Sequence, residues 1–112
     1  MFKIYEIKNK NIGVIKTPER IDTSNNDELK KIMLNYVNNG IFKIVVDLRE
    51  TNFIDSSGLG ALVSQIATCR AKGGDVRLAS VGKEVNRVLE ITQLNKVLKI
   101  FSELDEAINS YG

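Results

Sequence analysis

The sequence predicts an α/β fold: a mixed sheet that opens with an antiparallel hairpin and continues as parallel strands joined by helical crossovers. Three observations predict it. Ile44-Val45-Val46-Asp47-Leu48 is a nearly unbroken β-branched apolar run, as in a strand buried on both faces. From there on, short apolar runs alternate with segments of helical period, which implies right-handed crossovers between parallel strands. The length of 112 residues suits one domain, spanning residues 1–112, with a core of its own.

The elements follow in order. Phe2 to Lys8 sets Phe2, Ile4, Tyr5 and Ile7 among charged residues and reads as a strand. Asn9-Lys10-Asn11 is a turn, and Ile12 to Ile15 returns as the second arm of a hairpin, with Gly13 the place for a bulge. Pro18 ends this arm, and Glu19 to Thr23 is a connection without a period. Thr23, Ser24 and Asn25 each suit a helix N-cap, with Asp27 and Glu28 in the first turn. Leu29, Ile32, Met33, Tyr36 and Val37 then keep helical spacing until Asn38-Asn39-Gly40.

After the central strand, Leu59, Leu62, Val63, Ile66 and Ala67 mark one helix that runs to Gly73-Gly74. Asp75 to Ala79 is a strand. Lys83 to Thr92 is a helix with Val85, Val88, Leu89 and Ile91 facing inward. Val97 to Phe101 is a last strand, and Ser102 caps a closing helix that carries Leu104, Ala107 and Ile108. The order is β-β-α-β-α-β-α-β-α. Whether the helices cover one face of the sheet or both is left open.

Composition excludes several functions. Net charge is +2, from 16 basic and 14 acidic residues, scattered and without interleaved aromatics, so nucleic acid is not an expected partner. There is no histidine, which removes Ser-His-Asp and Cys-His nucleophilic chemistry. The single cysteine, Cys69, leaves no disulfide and no cysteine zinc site within one chain; it suits a reducing compartment and reads as a small core residue. No apolar run approaches the ~20 residues of a membrane span, and no signal peptide is visible, so a cytoplasmic protein without membrane insertion is expected.

The chemistry is concentrated in Asp55-Ser56-Ser57-Gly58-Leu59-Gly60, where a helix begins. Free N–H groups and the positive end of the helix dipole converge there, a setting that suits a phosphate, bound or covalently attached. Asp55 is placed to cap the helix, and Gly58 and Gly60 let another group approach closely. The plain reading is an ordinary N-cap. A nucleophilic serine is the poorer one: Ile54 stands where a Gly-x-Ser-x-Gly elbow needs glycine. Gly58-x-Gly60-x-x-Val63 lacks the third glycine of a dinucleotide fingerprint. Asp47, at the end of the central strand, has no acidic partners for a metal and is read as supporting the loop. Asp22, with Thr23 and Ser24, is a capping cluster or the frame of a binding surface.

The run Ile44–Leu48 followed by Phe53-Ile54-Asp55-Ser56-Ser57-Gly58-Leu59-Gly60 strongly resembles bacterial anti-sigma factor antagonists of the STAS family. The likeness extends over nearly the whole chain: Ile21-Asp22 before the first helix, Gly73-Gly74-Asp75 before a strand, and Val85 through Leu94 all fit. One departure is Arg20, two residues before Asp22, where members often carry glycine. The resemblance implies a single STAS-like domain that is not an enzyme and needs no cofactor. It implies Ser56 as phosphoacceptor; from the residues alone, Ser56 and Ser57 are not distinguished. It implies an anti-sigma factor of GHKL-type serine kinase fold as partner and a PPM-type phosphatase as the reversing enzyme. Asp22, Thr23, Ser24, Asp55, Ser57, Gly58, Leu59 and Gly60 would form the contact surface. Other roles of the fold are a stand-alone subunit of a lipid-transport or stress-sensing complex; a small phosphate-ester-binding enzyme is the reading from a different class.

Overall fold

The computed structural model describes residues 1–112. Strands β1 (Lys3–Ile7) and β2 (Ile12–Lys16) form the expected antiparallel hairpin. Strands β4 (Lys43–Asp47), β6 (Asp75–Ala79) and β7 (Lys99–Phe101) add to it in parallel, giving the sheet order β1-β2-β4-β6-β7. A second, two-stranded parallel sheet joins β3 (Arg20–Ile21) to β5 (Phe53–Ile54). The helices are α1 (Asn26–Asn38), α2 (Ser56–Val63), α3 (Ile66–Ala71), α4 (Lys83–Ile91) and α5 (Leu104–Asn109), with a 3-10 turn at Leu94–Lys96. No helix is long and apolar enough to cross a membrane.

Helices cover both faces of the sheet, the point that periodicity left open. Strand residues alternate between the faces. Ile15, Ile44, Val46, Val76 and Leu78 join a 21-residue core with α1, α2, α3 and α4. Ile12, Val14, Val45 and Ala79 join a smaller cluster of six with Ala107 and Ile108 of α5. The central strand β4 is thus buried on both sides, as its β-branched run requires.

Five expectations need correction. The predicted order omits the short strands β3 and β5. Gly13 makes no bulge; it sits in register opposite Glu6. A Cβ there would lie 2.7 Å from Cζ of Tyr36, so glycine makes room for a ring. The long helix after Asp55 is broken between α2 and α3, where Ser64 donates its hydroxyl to the Ala61 carbonyl at 2.8 Å and competes with the helical ladder. Ile91 is 73% exposed rather than inward, because it sits six residues from Val85, about 120° off the buried stripe. The final helix is capped by Glu103, whose capping box with Glu106 takes the role expected of Ser102.

The C-terminus is tied to the sheet by a polar cluster. Buried Asp75 pairs with Arg70 at 2.9 Å and Arg77 at 3.1 Å. Arg77 stacks on Tyr111, 4.1 Å from the ring centre, and the Tyr111 hydroxyl lies 2.7 Å from the carbonyls of Ile44 and Asp75. Burial pushes the Asp75 carboxyl up, and the hydrogen bonds from Arg70, Arg77 and its own strand outweigh that, leaving it below the usual range. Cys69 is fully buried, and that burial pushes its thiol up to about 11. The core reading of Cys69 holds.

Candidate functional site at the start of the second helix

The two-stranded sheet builds the site. Ile21 pairs with Ile54, so the residues that follow, Asp22 and Asp55, emerge side by side. Each grips a serine two positions on. Asp22 Oδ1 accepts the Ser24 N–H at 3.0 Å and its hydroxyl at 2.6 Å. Asp55 Oδ1 accepts the Ser57 hydroxyl at 2.6 Å and the Gly58 N–H at 3.0 Å, which makes Asp55 the N-cap of α2. The hydrogen bond from Ser57, then that from Gly58, holds the Asp55 carboxyl below its ordinary range, while the nearby Asp22 charge acts weakly the other way. The Asp22 carboxyl is lowered in the same manner by Ser24.

This geometry separates two hydroxyls that the sequence did not. Ser57 is half-buried and committed to Asp55. Ser56 is exposed, and its hydroxyl makes no hydrogen bond within the chain. No histidine exists to activate either, and no cluster of three His, Cys, Asp or Glu is placed to hold a metal.

The two glycines differ as well. A Cβ at Gly58 would lie 2.6 Å from the Ile21 carbonyl oxygen, so the close approach there is made by this chain's own β3. Gly60 faces open space, with nothing within 4 Å. Leu59 is 7% exposed and packs into the main core. Of the residues expected on the contact surface, Thr23, Ser24 and Gly60 are exposed, and Asp22, Asp55 and Ser57 are half-buried. Gly58 and Leu59 face inward and act by fixing the backbone beneath Ser56.

Three further residues belong to the site. The Arg20 guanidinium lies 4.0 Å over the ring of Phe53, which is exposed on β5, and Arg20 Nε is 3.4 Å from Asp22 Oδ2. The Asn25 side chain clamps the early loop, accepting from Asp22 N–H at 2.9 Å and donating to the Arg20 carbonyl at 2.8 Å. The available signal was register: once Ile21 opposes Ile54, Arg20 must oppose Phe53. Asp47 has the supporting role read from the sequence, since its Oδ1 accepts the Arg49 N–H at 3.1 Å.

The STAS domain profile matches residues 5–107. The chain belongs to the STAS domain family. It is 36% identical over 73 residues to the TM1081 homolog of Thermotoga neapolitana, a match covering 65% of this chain and 65% of that protein. It is 33% identical over 67 residues to the anti-sigma F factor antagonist of Paenibacillus polymyxa, over 60% of this chain and 55% of that one. The chain thus spans less than two thirds of the length of these relatives. The crystal structure of TM1081 from Thermotoga maritima superposes with a TM-score of 0.87 at 27% identity, covering 99% of this chain and 94% of that one. The unphosphorylated form of the anti-sigma factor antagonist SpoIIAA shares the fold, with a TM-score of 0.85 at 18% identity, covering 98% of this chain and 95% of that one.

Proposed function

We propose that this chain is an anti-sigma factor antagonist switched by phosphorylation of Ser56. The unphosphorylated form binds an anti-sigma factor of GHKL-type serine kinase fold and so releases a sigma factor. The bound kinase phosphorylates Ser56, which ends binding, and a PPM-type phosphatase restores the active form. The observation that carries this reading is the exposed, uncommitted hydroxyl of Ser56 at the first position of α2. Ser57, which shares the dipeptide, already donates to the cap. The P. polymyxa relative's name supports the role.

The physics of the switch lies in the interface rather than the fold. A phosphoserine carries ~1.5–2 negative charges. At a helix N-terminus these gain about 0.3–1 kcal/mol from the dipole. Here the capping carboxylate of Asp55 and the neighbouring Asp22 oppose that gain, so the domain's stability changes little. In an interface fitted to a hydroxyl, the same group brings several kcal/mol of desolvation when no cation pairs with it. Each ~1.4 kcal/mol is tenfold in affinity, so a loss of about a thousandfold follows.

The reading is tested by incubating the protein with its anti-sigma factor and ATP and mapping the modified residue by mass spectrometry. Phosphate on Ser56 is the expected result. Phosphate on Ser57 alone, or none, contradicts it. Co-purification with membrane transport components in place of a kinase would move the role to a different STAS assembly.

A further inference from the structure

We infer that the free edge of β1 is a homodimer interface, in which a second copy of this chain pairs antiparallel with β1 across a two-fold axis at Ile4. The inference is independent of the role proposed for Ser56. Strand β1 is the end of the sheet and has β2 on one side only. Its middle is apolar and open: Ile4 is 51% and Tyr5 47% exposed. An edge of this kind is a ready template for another strand.

Backbone geometry identifies which groups the edge offers. The Tyr36 hydroxyl lies 2.9 Å from the Tyr5 carbonyl and 3.2 Å from the Val14 carbonyl. Two carbonyls that share one hydroxyl must both lie between β1 and β2, so Tyr5 and Val14 form a hydrogen-bonded pair. Alternation along an antiparallel ladder then turns the N–H and C=O groups of Ile4 and Glu6 outward.

The sequence selects a second copy as occupant, because the strand is complementary to itself. A two-fold axis perpendicular to the sheet keeps each face with its like, so only residues on the same face oppose one another. With Ile4 on the axis, Ile4 meets Ile4 through reciprocal outward main-chain bonds. Lys3 meets Tyr5 of the second copy, ammonium against ring. Glu6 lies opposite Phe2, whose side chain stays in the main core, and no like charges are opposed. Shifting the axis to Tyr5 puts Glu6 opposite Ile4 and Ile7 opposite Lys3, and shifting it to Glu6 opposes two carboxylates. The Ile4 register is the one the side chains favour.

The test combines sedimentation analysis of the full chain with cysteine cross-linking. The native Cys69 is buried and does not interfere. The expected result is a concentration-dependent dimer that Ile4→Lys weakens at least tenfold. Ile4→Cys forms an intermolecular disulfide on oxidation, since the paired Cα atoms lie about 5.5 Å apart, within disulfide range. Glu6→Cys does not, because the two Glu6 positions are offset by four residues, about 13 Å along the strands. Melting curves confirm that these exposed-strand variants fold. A monomer at every concentration overturns the inference and leaves the edge to a strand of another protein. A dimer indifferent to Ile4→Lys, or one that cross-links equally through Glu6→Cys, also overturns it by placing the contact elsewhere.

Discussion

Asp55 accepts the Ser57 hydroxyl at 2.6 Å through the same carboxylate oxygen that caps α2 on the Gly58 N–H. The bond separates the adjacent serines: Ser57 holds the turn, and the exposed Ser56 hydroxyl is left without a partner in the chain. Substitutions should show the division as stability. Ser57→Ala removes a hydrogen bond to a charged group and should lower the melting temperature by about 4 °C or more. Asp55→Ala removes the cap as well and should lower it further. Ser56→Ala should stay within ~0.5 kcal/mol of the parent in chemical denaturation.

The glycines of the same helix should respond in opposite directions. Gly58→Ala forces a Cβ to 2.6 Å from the Ile21 carbonyl, and a backbone atom cannot swing aside. Overpacking of this kind costs about 1–3 kcal/mol. Gly60→Ala meets nothing within 4 Å in a helical position and should stabilise by ~0.5–1 kcal/mol. Urea unfolding of the two variants checks the pair.

Phosphorylation at Ser56 should leave the domain folded. The helix dipole favours the added charge and Asp55 and Asp22 oppose it, so the melting temperature of the phosphoprotein should lie within about 4 °C of the unmodified protein. A grossly unfolded phosphoprotein would mean that the switch acts through the fold.

Stability should fall at both ends of the pH scale, for different groups. The Asp75 carboxyl is lowered in the fold by Arg70, Arg77 and its strand N–H. Its contribution is therefore present above its unfolded value, about 3.9, and is lost as pH falls through the lower folded value. Burial raises the Cys69 thiol to about 11 and the Tyr36 hydroxyl to about 12. These acids favour the folded state while neutral. Their contribution is complete below their unfolded values, 9.0 and 10.0, and is lost as pH rises toward the folded ones. Melting temperature against pH should give a plateau that drops below about pH 4 and above about pH 9, where Cys69 begins to contribute before Tyr36. Asp75→Asn should flatten the acid limb, and Tyr36→Phe the alkaline one.

The sequence was most informative where one physical signal dominated. Ile44-Val45-Val46 can only be a doubly buried strand, and Asp75 to Ala79 follows a glycine pair and sends Val76 and Leu78 into one core and Ala79 into the other. The motif Asp55-Ser56-Ser57-Gly58 announced a helix start because capping is local chemistry. Strands β3 and β5 escaped because two residues carry no period; each exists only through the other. With them went the stacking of Arg20 on Phe53, a contact between residues 33 positions apart in sequence that depends on register. The break at Ser64 was hidden because Leu62, Val63 and Ile66 keep helical spacing through it, while one hydroxyl diverts the Ala61 carbonyl. The difference between Ser56 and Ser57 lies in the direction of a single hydroxyl, which composition and spacing do not encode.

A phosphate on Ser56 is proposed to close a binding surface without disturbing the fold. The most direct measurement is calorimetric titration of the anti-sigma factor with unmodified protein, with authentic Ser56 phosphoprotein and with Ser57→Ala. Tight binding is expected of the first, a loss of about a thousandfold for the second, and binding near the parent level for the third at a temperature where it is folded. Equal affinity of the phosphorylated and unmodified proteins would contradict the proposed switch.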